Sequence, residues 1–164
     1  MTTAEIMVKM IAYSNGNLHD IQHFLKVYAY AKTIGECEGV SPWHQKTTET
    51  AAILHDIACP LCRKKYGTTN GKYQEMEGTA LAEDFLKDTG LPEDMIKRVV
   101  FLVGHHHTID AVDGIDYQIL LEADYLVNAD ESKYSAANIE TAREKLFKTS
   151  TGIALLRSIY QNKE

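Results

Sequence analysis

Apolar positions recur with a helical period along almost the whole chain. Residues 3–13 carry Ile6, Met10 and Ile11, with Val8 nearby. They form a short amphipathic helix closed by the turn residues Ser14, Asn15, Gly16 and Asn17. A second helix is expected over about 17–38. Ile21, Phe24, Leu25, Tyr28 and Ala31 make one stripe there, widened by Val27, Tyr30 and Ile34. His23 lies four residues before Val27, at the edge of that buried face, and Gly39 suits the stop. Ser41 and Pro42 are an N-cap and first-turn pair opening a third helix that runs to about Ala58. Pro60, the basic cluster Arg63, Lys64 and Lys65, and a loop from Gly67 to Lys72 follow.

A fourth helix spans about 74–88 and ends before Gly90. Leu91, Pro92 and Glu93 open a fifth, whose stripe of Ile96, Val99, Val100 and Val103 runs into His105, His106 and His107. After a linker with Asp110, Asp113, Gly114 and Asp116, a sixth helix over about 117–130 buries Ile119, Leu120, Ala123 and Val127, with Asp124 inside that arc. Residues 135–163 give two more amphipathic helices separated near 149–152. No segment alternates with the period of two that a half-buried strand needs, so the fold class is all-α. No repeat, low-complexity tract or linker divides the chain, and residues 1–164 read as one domain.

Composition narrows the field without changing that picture. A length of 164 residues can bury a core without staples. The net charge of −6, with no offsetting basic run, argues against nucleic acid as a partner. No apolar run approaches membrane-spanning length, and the first residues lack the pattern of a secretory leader. Three cysteines, few and odd in number, fit a reducing cytoplasm. Cys59 and Cys62 match a redox CxxC, but without a βαβ context they read as two thiols in the turn after a helix. The loop from Gly67 to Lys72 is one residue short of a phosphate-binding loop. It has Tyr73 where Ser or Thr is needed, and no strand precedes it.

Four polar residues sit on or beside apolar helical faces: His23, the adjacent pair His55 and Asp56, and Asp124. Taken singly each has an ordinary structural explanation, although an aspartate is rarely buried unpaired. Together they are two imidazoles and two carboxylates, a set suited to Mn, Fe, Co, Ni or Zn rather than Ca. Successive helical residues diverge by about 100°. His55 and Asp56 can therefore share an ion only beside a helix end, which leaves positions open for water and for distant ligands.

His23 among Phe24, Leu25 and Tyr28, then His55-Asp56 after Ile53-Leu54, then Asp124 after Glu122-Ala123 resembles the HD-domain superfamily of metal-dependent phosphohydrolases, over most of residues 15–130. The resemblance implies an HD-domain helical bundle in which His23, His55, Asp56 and Asp124 hold a divalent transition metal. Leu102-Val103-Gly104-His105-His106 is similar to a segment that supplies a second metal in an extended form of the family. Helical phase turns His106 inward more than His105. The histidine that form places four residues before a glycine is Gln74 here, ahead of Gly78. Glu75 and Glu77 are candidate substitutes, or else ordinary first-turn glutamates. One ion is expected, with a second left open. His19 and His107 read as surface or linker residues.

The activity so implied is hydrolysis of a small-molecule phosphate ester, a nucleotide among the candidates. Asp56 would orient the water, and His106 or His105 would assist as proton donor. Lys64, Lys65 and Lys72 are candidates for meeting the substrate phosphate, or a solvated basic loop. Two other classes remain: a di-iron oxygenase of the HD type, which anaerobic assay would reveal, and a non-catalytic nucleotide- or partner-binding module with a structural metal.

Overall fold

The computed structural model describes residues 1–161. Among them are nine α-helices and no strand: α1 (Thr3–Tyr13), α2 (Leu18–Glu38), α3 (Pro42–Leu54), α4 (Cys59–Tyr66), α5 (Gly71–Leu86), α6 (Glu93–Val103), α7 (Ile115–Glu131), α8 (Ala136–Lys145) and α9 (Ser150–Leu156), the last continued by a π-helical turn over Arg157–Gln161. Several starts carry the caps their sequences offer. The side chains of Thr2, Asn17, Ser41, Ser135 and Thr149 each accept from a first-turn backbone N–H.

The architecture is organised around α3, which packs against α1, α2, α6 and α7. Its second half is buried on all sides: Thr47, Thr48, Glu49, Thr50, Ala51, Ala52, Ile53 and Leu54. Small side chains let four neighbours approach closely. The three threonine hydroxyls are satisfied inside the helix, donating to the carbonyls of Trp43, His44 and Lys46 four residues back, each at 2.8 Å. α2 and α7 flank α3 and pack on each other. α5 lies on α6, α4 on α5, and α9 closes the α2–α7 side. Ile34, Ile53, Leu54, Leu102, Ile119 and Leu120 lie fully buried at the centre.

The structure departs from the sequence expectations at instructive points. The third helix stops at Leu54 rather than near Ala58. Pro60 cannot donate to the Asp56 carbonyl, as a continuing helix would require. That carbonyl instead accepts from Cys59 N at 2.9 Å, and Ile57 N donates to Leu54 O at 2.9 Å, so residues 55–58 form a tight turn. Residues expected as a connection after it form α4, with Pro60 in its first turn, where a missing N–H costs nothing. α5 opens at Gly71 rather than Gln74. On α2 the buried arc is His23, Phe24, Val27, Ala31 and Ile34, so His23 lies inside the arc and Leu25 is exposed. The expected end of the final helix at Lys163 lies outside the described residues.

Candidate metal centre

Two helices and one turn bring the four residues together. His23 comes from the second turn of α2, His55 and Asp56 from the turn after α3, and Asp124 from the middle of α7. His55 is fully buried, and His23 and Asp124 nearly so. His23 Nε2 lies 3.1 Å from His55 Nε2, 3.2 Å from Asp124 Oδ1 and 3.4 Å from Asp56 Oδ2. His55 Nε2 lies 3.4 Å from Asp124 Oδ1 and 3.6 Å from Asp56 Oδ2.

Those separations carry a chemical meaning. Metal–ligand bonds of about 2.1 Å put neighbouring donors about 3.0 Å apart in an octahedron and about 3.4 Å apart in a tetrahedron. The tautomers agree. His55 Nδ1 donates to the Ala52 carbonyl at 2.8 Å, and His23 Nδ1 donates to Glu131 Oε2 at 2.8 Å. Both neutral rings therefore aim an Nε2 lone pair at the same point, an arrangement that needs a cation or a proton between them. Asp124 Oδ1 is buried with no hydrogen-bond partner.

The electrostatics show the protonic alternative. Burial works against charge on His23, but Asp124, Asp56 and Glu131 outweigh it and raise its pKa to about 9. His55 is raised in the same way, with Asp56 and Asp124 overcoming burial. Burial pushes the Asp56 and Asp124 carboxyls up, but facing imidazoles reverse this and hold both below the ordinary carboxylate range: His55 and His106 for Asp56, His23 and His55 for Asp124. Glu131 also takes Lys26 Nζ at 2.7 Å. It is an anchored carboxylate behind His23, two turns after Asp124 on the same face of α7. Sequence reading missed it, and the seven-residue spacing was its signal.

A second group adjoins the first. Asp56 turns its other oxygen, Oδ1, toward His106 Nε2 at 3.4 Å, and donor atoms of Asp56, His106 and His107 lie within 4.8 Å of one another. His106 Nδ1 donates to the Val103 carbonyl at 2.8 Å, which leaves its buried Nε2 without a partner. Gln74 donates through Nε2 to Thr69 O at 2.7 Å, and its buried Oε1 has no partner. His107, expected at the surface, is exposed on its outer side yet lines the cavity. Its enclosed ring and neighbouring His106 push its pKa down to about 4, so it is neutral at pH 7. Gly71 makes room for it: a Cβ there would meet the His107 ring at 2.7 Å.

The profile of the HD domain matches residues 20–131. The chain belongs to the HD-domain family. A crystal structure of a predicted HD superfamily hydrolase from an uncultured Thermotogales bacterium is similar, with a TM-score of 0.68 and 23% sequence identity over 96% of this chain and 84% of that one. At that identity the likeness shows the fold. No curated protein matches the sequence.

Around the HD centre the remaining candidates fall in different places. Glu75 accepts from His107 N at 3.0 Å and from Thr108 Oγ1 at 2.9 Å, so its carboxylate holds the turn that carries the histidines. Tyr117, fully buried on α7, donates its hydroxyl to the His105 and Thr108 carbonyls of the same turn. Glu77 pairs with Lys65 Nζ at 2.5 Å and accepts from Tyr66. Neither glutamate stands at the HD centre as the substitution for a missing histidine would require. His105 stacks on Phe101, with centroids 4.1 Å apart, and its Nδ1 donates to the Phe101 carbonyl, so it does not reach the cavity.

A cavity of about 240 Å³ opens over His23, Asp56 and Asp124, with His55 buried behind them, and is also lined by Asp20, Arg63, Gln74, His107 and Glu131, with the exposed His19 at its edge. Lys64, Lys65 and Lys72 do not line it; the basic side chain that does is Arg63. No helix among the described residues is long and apolar enough to cross a membrane.

Proposed function

We propose that this HD-domain protein is a metal-dependent phosphohydrolase that cleaves a small-molecule phosphate ester, nucleotides included, as a single-domain enzyme of the reducing cytoplasm. One observation carries the reading: four donor atoms from three elements converge at 3.1–3.6 Å, with the N–H groups of both imidazoles turned away, beside an open cavity. The residues fit a divalent transition ion, since two imidazoles and two carboxylates are the donor set of Mn, Fe, Co, Ni or Zn. When bound, such an ion lowers the pKa of a coordinated water toward 7 and polarises a phosphoryl oxygen.

The chain's own residues have distinct tasks. His23, His55 and Asp124 fix the ion's position, and Glu131 and the Ala52 carbonyl fix the two rings. Asp56 acts twice, holding the ion with Oδ2 and orienting the attacking water with Oδ1. His106 Nε2, beside that oxygen, moves the proton from water toward the departing ester oxygen. A second reading gives that lone pair to a cation: the orphaned His106 Nε2 and Gln74 Oε1 favour a second ion beside Asp56 with His107 as a further donor, and such an ion would take the place of the proton-carrying role. A cavity of about 240 Å³ is below the ~300–1,000 Å³ of most ligand sites. It suits a phosphoryl group and its ion, with the rest of the substrate lying at the mouth.

The test is metal analysis of the purified protein, followed by a phosphoester and nucleotide panel with several divalent ions. His55→Ala and Asp56→Ala should each lose bound ion and turnover while keeping helicity. Unchanged metal content in both variants would remove the ligand assignment.

A further inference from the structure

We propose that Arg63 is the residue that anchors the substrate's phosphoryl group. The inference rests on the phosphohydrolase reading and names the contact that gives it affinity. The cavity wall is strongly acidic, with Asp20, Asp56, Asp124 and Glu131 all facing it. A phosphate monoester brings a further charge of about −1.5 to −2 at pH 7. It enters such a cavity only where fixed positive charge meets it. Among the lining residues Arg63 is the one lysine or arginine.

Its donors are available. A guanidinium has five N–H groups. One of them, on Nη2, is held by Asp20 Oδ2, and no other side-chain hydrogen bond of Arg63 is present among the described residues. The side chain is 40% exposed while Asp20 is 13% exposed, so the carboxylate is the buried anchor and the guanidinium is presented outward.

The pair is built into the frame of the metal centre. Asp20 lies three residues before His23 on α2, on the same face, and Arg63 lies seven residues after Asp56 on α4. α2, which carries His23, and α4, which directly follows the turn carrying His55 and Asp56, therefore also place the guanidinium. A planar fork matches two phosphate oxygens, whereas the lysines of the same region point elsewhere, Lys65 being bound to Glu77. An ion on one side and Arg63 on the other favour a group with two ionisable oxygens. The preferred class is thus a phosphate monoester or a terminal phosphate rather than a diester.

The experiment measures binding of inorganic phosphate to the ion-reconstituted full-length protein by calorimetry, with no turnover required. Arg63→Gln should weaken phosphate at least tenfold with metal content unchanged. Arg63→Lys should recover part of that loss. Lys97→Gln, the same charge change at an exposed site on α6, should match the unmodified protein. Equal phosphate affinity in Arg63→Gln, loss of the ion in both Arg63 variants, or no phosphate binding by the unmodified protein would each overturn the proposal. The two readings fail separately. An Arg63-dependent phosphate site with no ester turned over sinks the enzymatic reading, and turnover with an unaltered KM in Arg63→Gln sinks this one.

Discussion

Stripping the ion should turn the centre into a proton sink, and the pH range follows from the geometry. With His23 raised to about 9, its imidazole is protonated in about 99 of 100 ion-free molecules at pH 7 and in about half at pH 9. His55 is raised as well. Coordination needs both Nε2 lone pairs, so ion binding must expel those protons. Calorimetric titrations in buffers of different ionisation enthalpy should show about one to two protons released per ion at pH 7, fewer as pH rises through 9. Apparent affinity should rise over the same interval.

Folding stability gives the complementary signature. For the ion-free protein the His23 pKa is raised from 6.5 in the unfolded chain to about 9 in the fold. A raised pKa contributes stability that is fully present below 6.5 and lost as pH climbs through 9. The difference of about 2.5 units at ~1.36 kcal/mol per unit is about 3 kcal/mol. His23 is 7% exposed, so solvent screening takes little from that figure. Urea unfolding of chelator-treated protein should therefore show a loss of that order between pH 6.5 and 9.5. The ion-loaded protein, with no proton there to lose, should not show it. A flat ion-free profile, or no proton release at pH 7, would refute the claim that these nitrogens share one cation position.

Two further predictions concern parts away from the chemistry. Glu122 is fully buried on α7 and accepts from Gln118 Nε2, Lys148 N, Thr149 N and the Thr149 hydroxyl. Glu122→Ala should destabilise by about 3–5 kcal/mol in urea unfolding, because it strands buried donors at the start of α9; a change below ~1 kcal/mol would remove that account. Cys37 is exposed while Cys59 and Cys62 are buried. Burial, helped by Asp56, lifts the Cys59 thiol far above its ordinary pKa, so little thiolate forms. An aromatic disulfide reagent should titrate one thiol in the native protein and three after unfolding, and rapid reaction of all three in the fold would contradict the buried placement.

Most of the fold is readable from local pattern, because α1, α2, α5, α6 and α7 each repeat their apolar residues with the period of a helix, and α1, α2 and α5 carry side-chain caps at their starts. The segment that resisted is residues 55–66. An Ala-rich run into Ile57 and Ala58 looks like continuing helix. Pro60 looks like a breaker, although its effect is to end one helix four residues early and begin another. That shift matters chemically. As interior helical residues His55 and Asp56 would diverge, and in the turn their Nε2 and Oδ2 atoms stand 3.6 Å apart.

The four converging residues are likewise legible, since a histidine or aspartate inside an apolar arc is costly unless something repays the burial. What surrounds them is not. Glu131, Asp20, Arg63 and Tyr117 sit at ordinary polar or aromatic positions of amphipathic helices, and apart from the seven-residue spacing of Glu131 from Asp124 nothing in their own neighbourhoods marks them. They acquire roles only through partners on other elements, more than forty residues away for Asp20, Arg63 and Glu131, as in the 2.8 Å contact of Glu131 with His23. The same distance dependence separates Arg63 from the lysines beside it. Residues 63–65 are chemically alike in the sequence, and a single turn of α4 carries Arg63 to the cavity wall while Lys65 turns to Glu77. Charge composition can say that a phosphate needs a cation, but only the rotation of that turn decides which cation it meets.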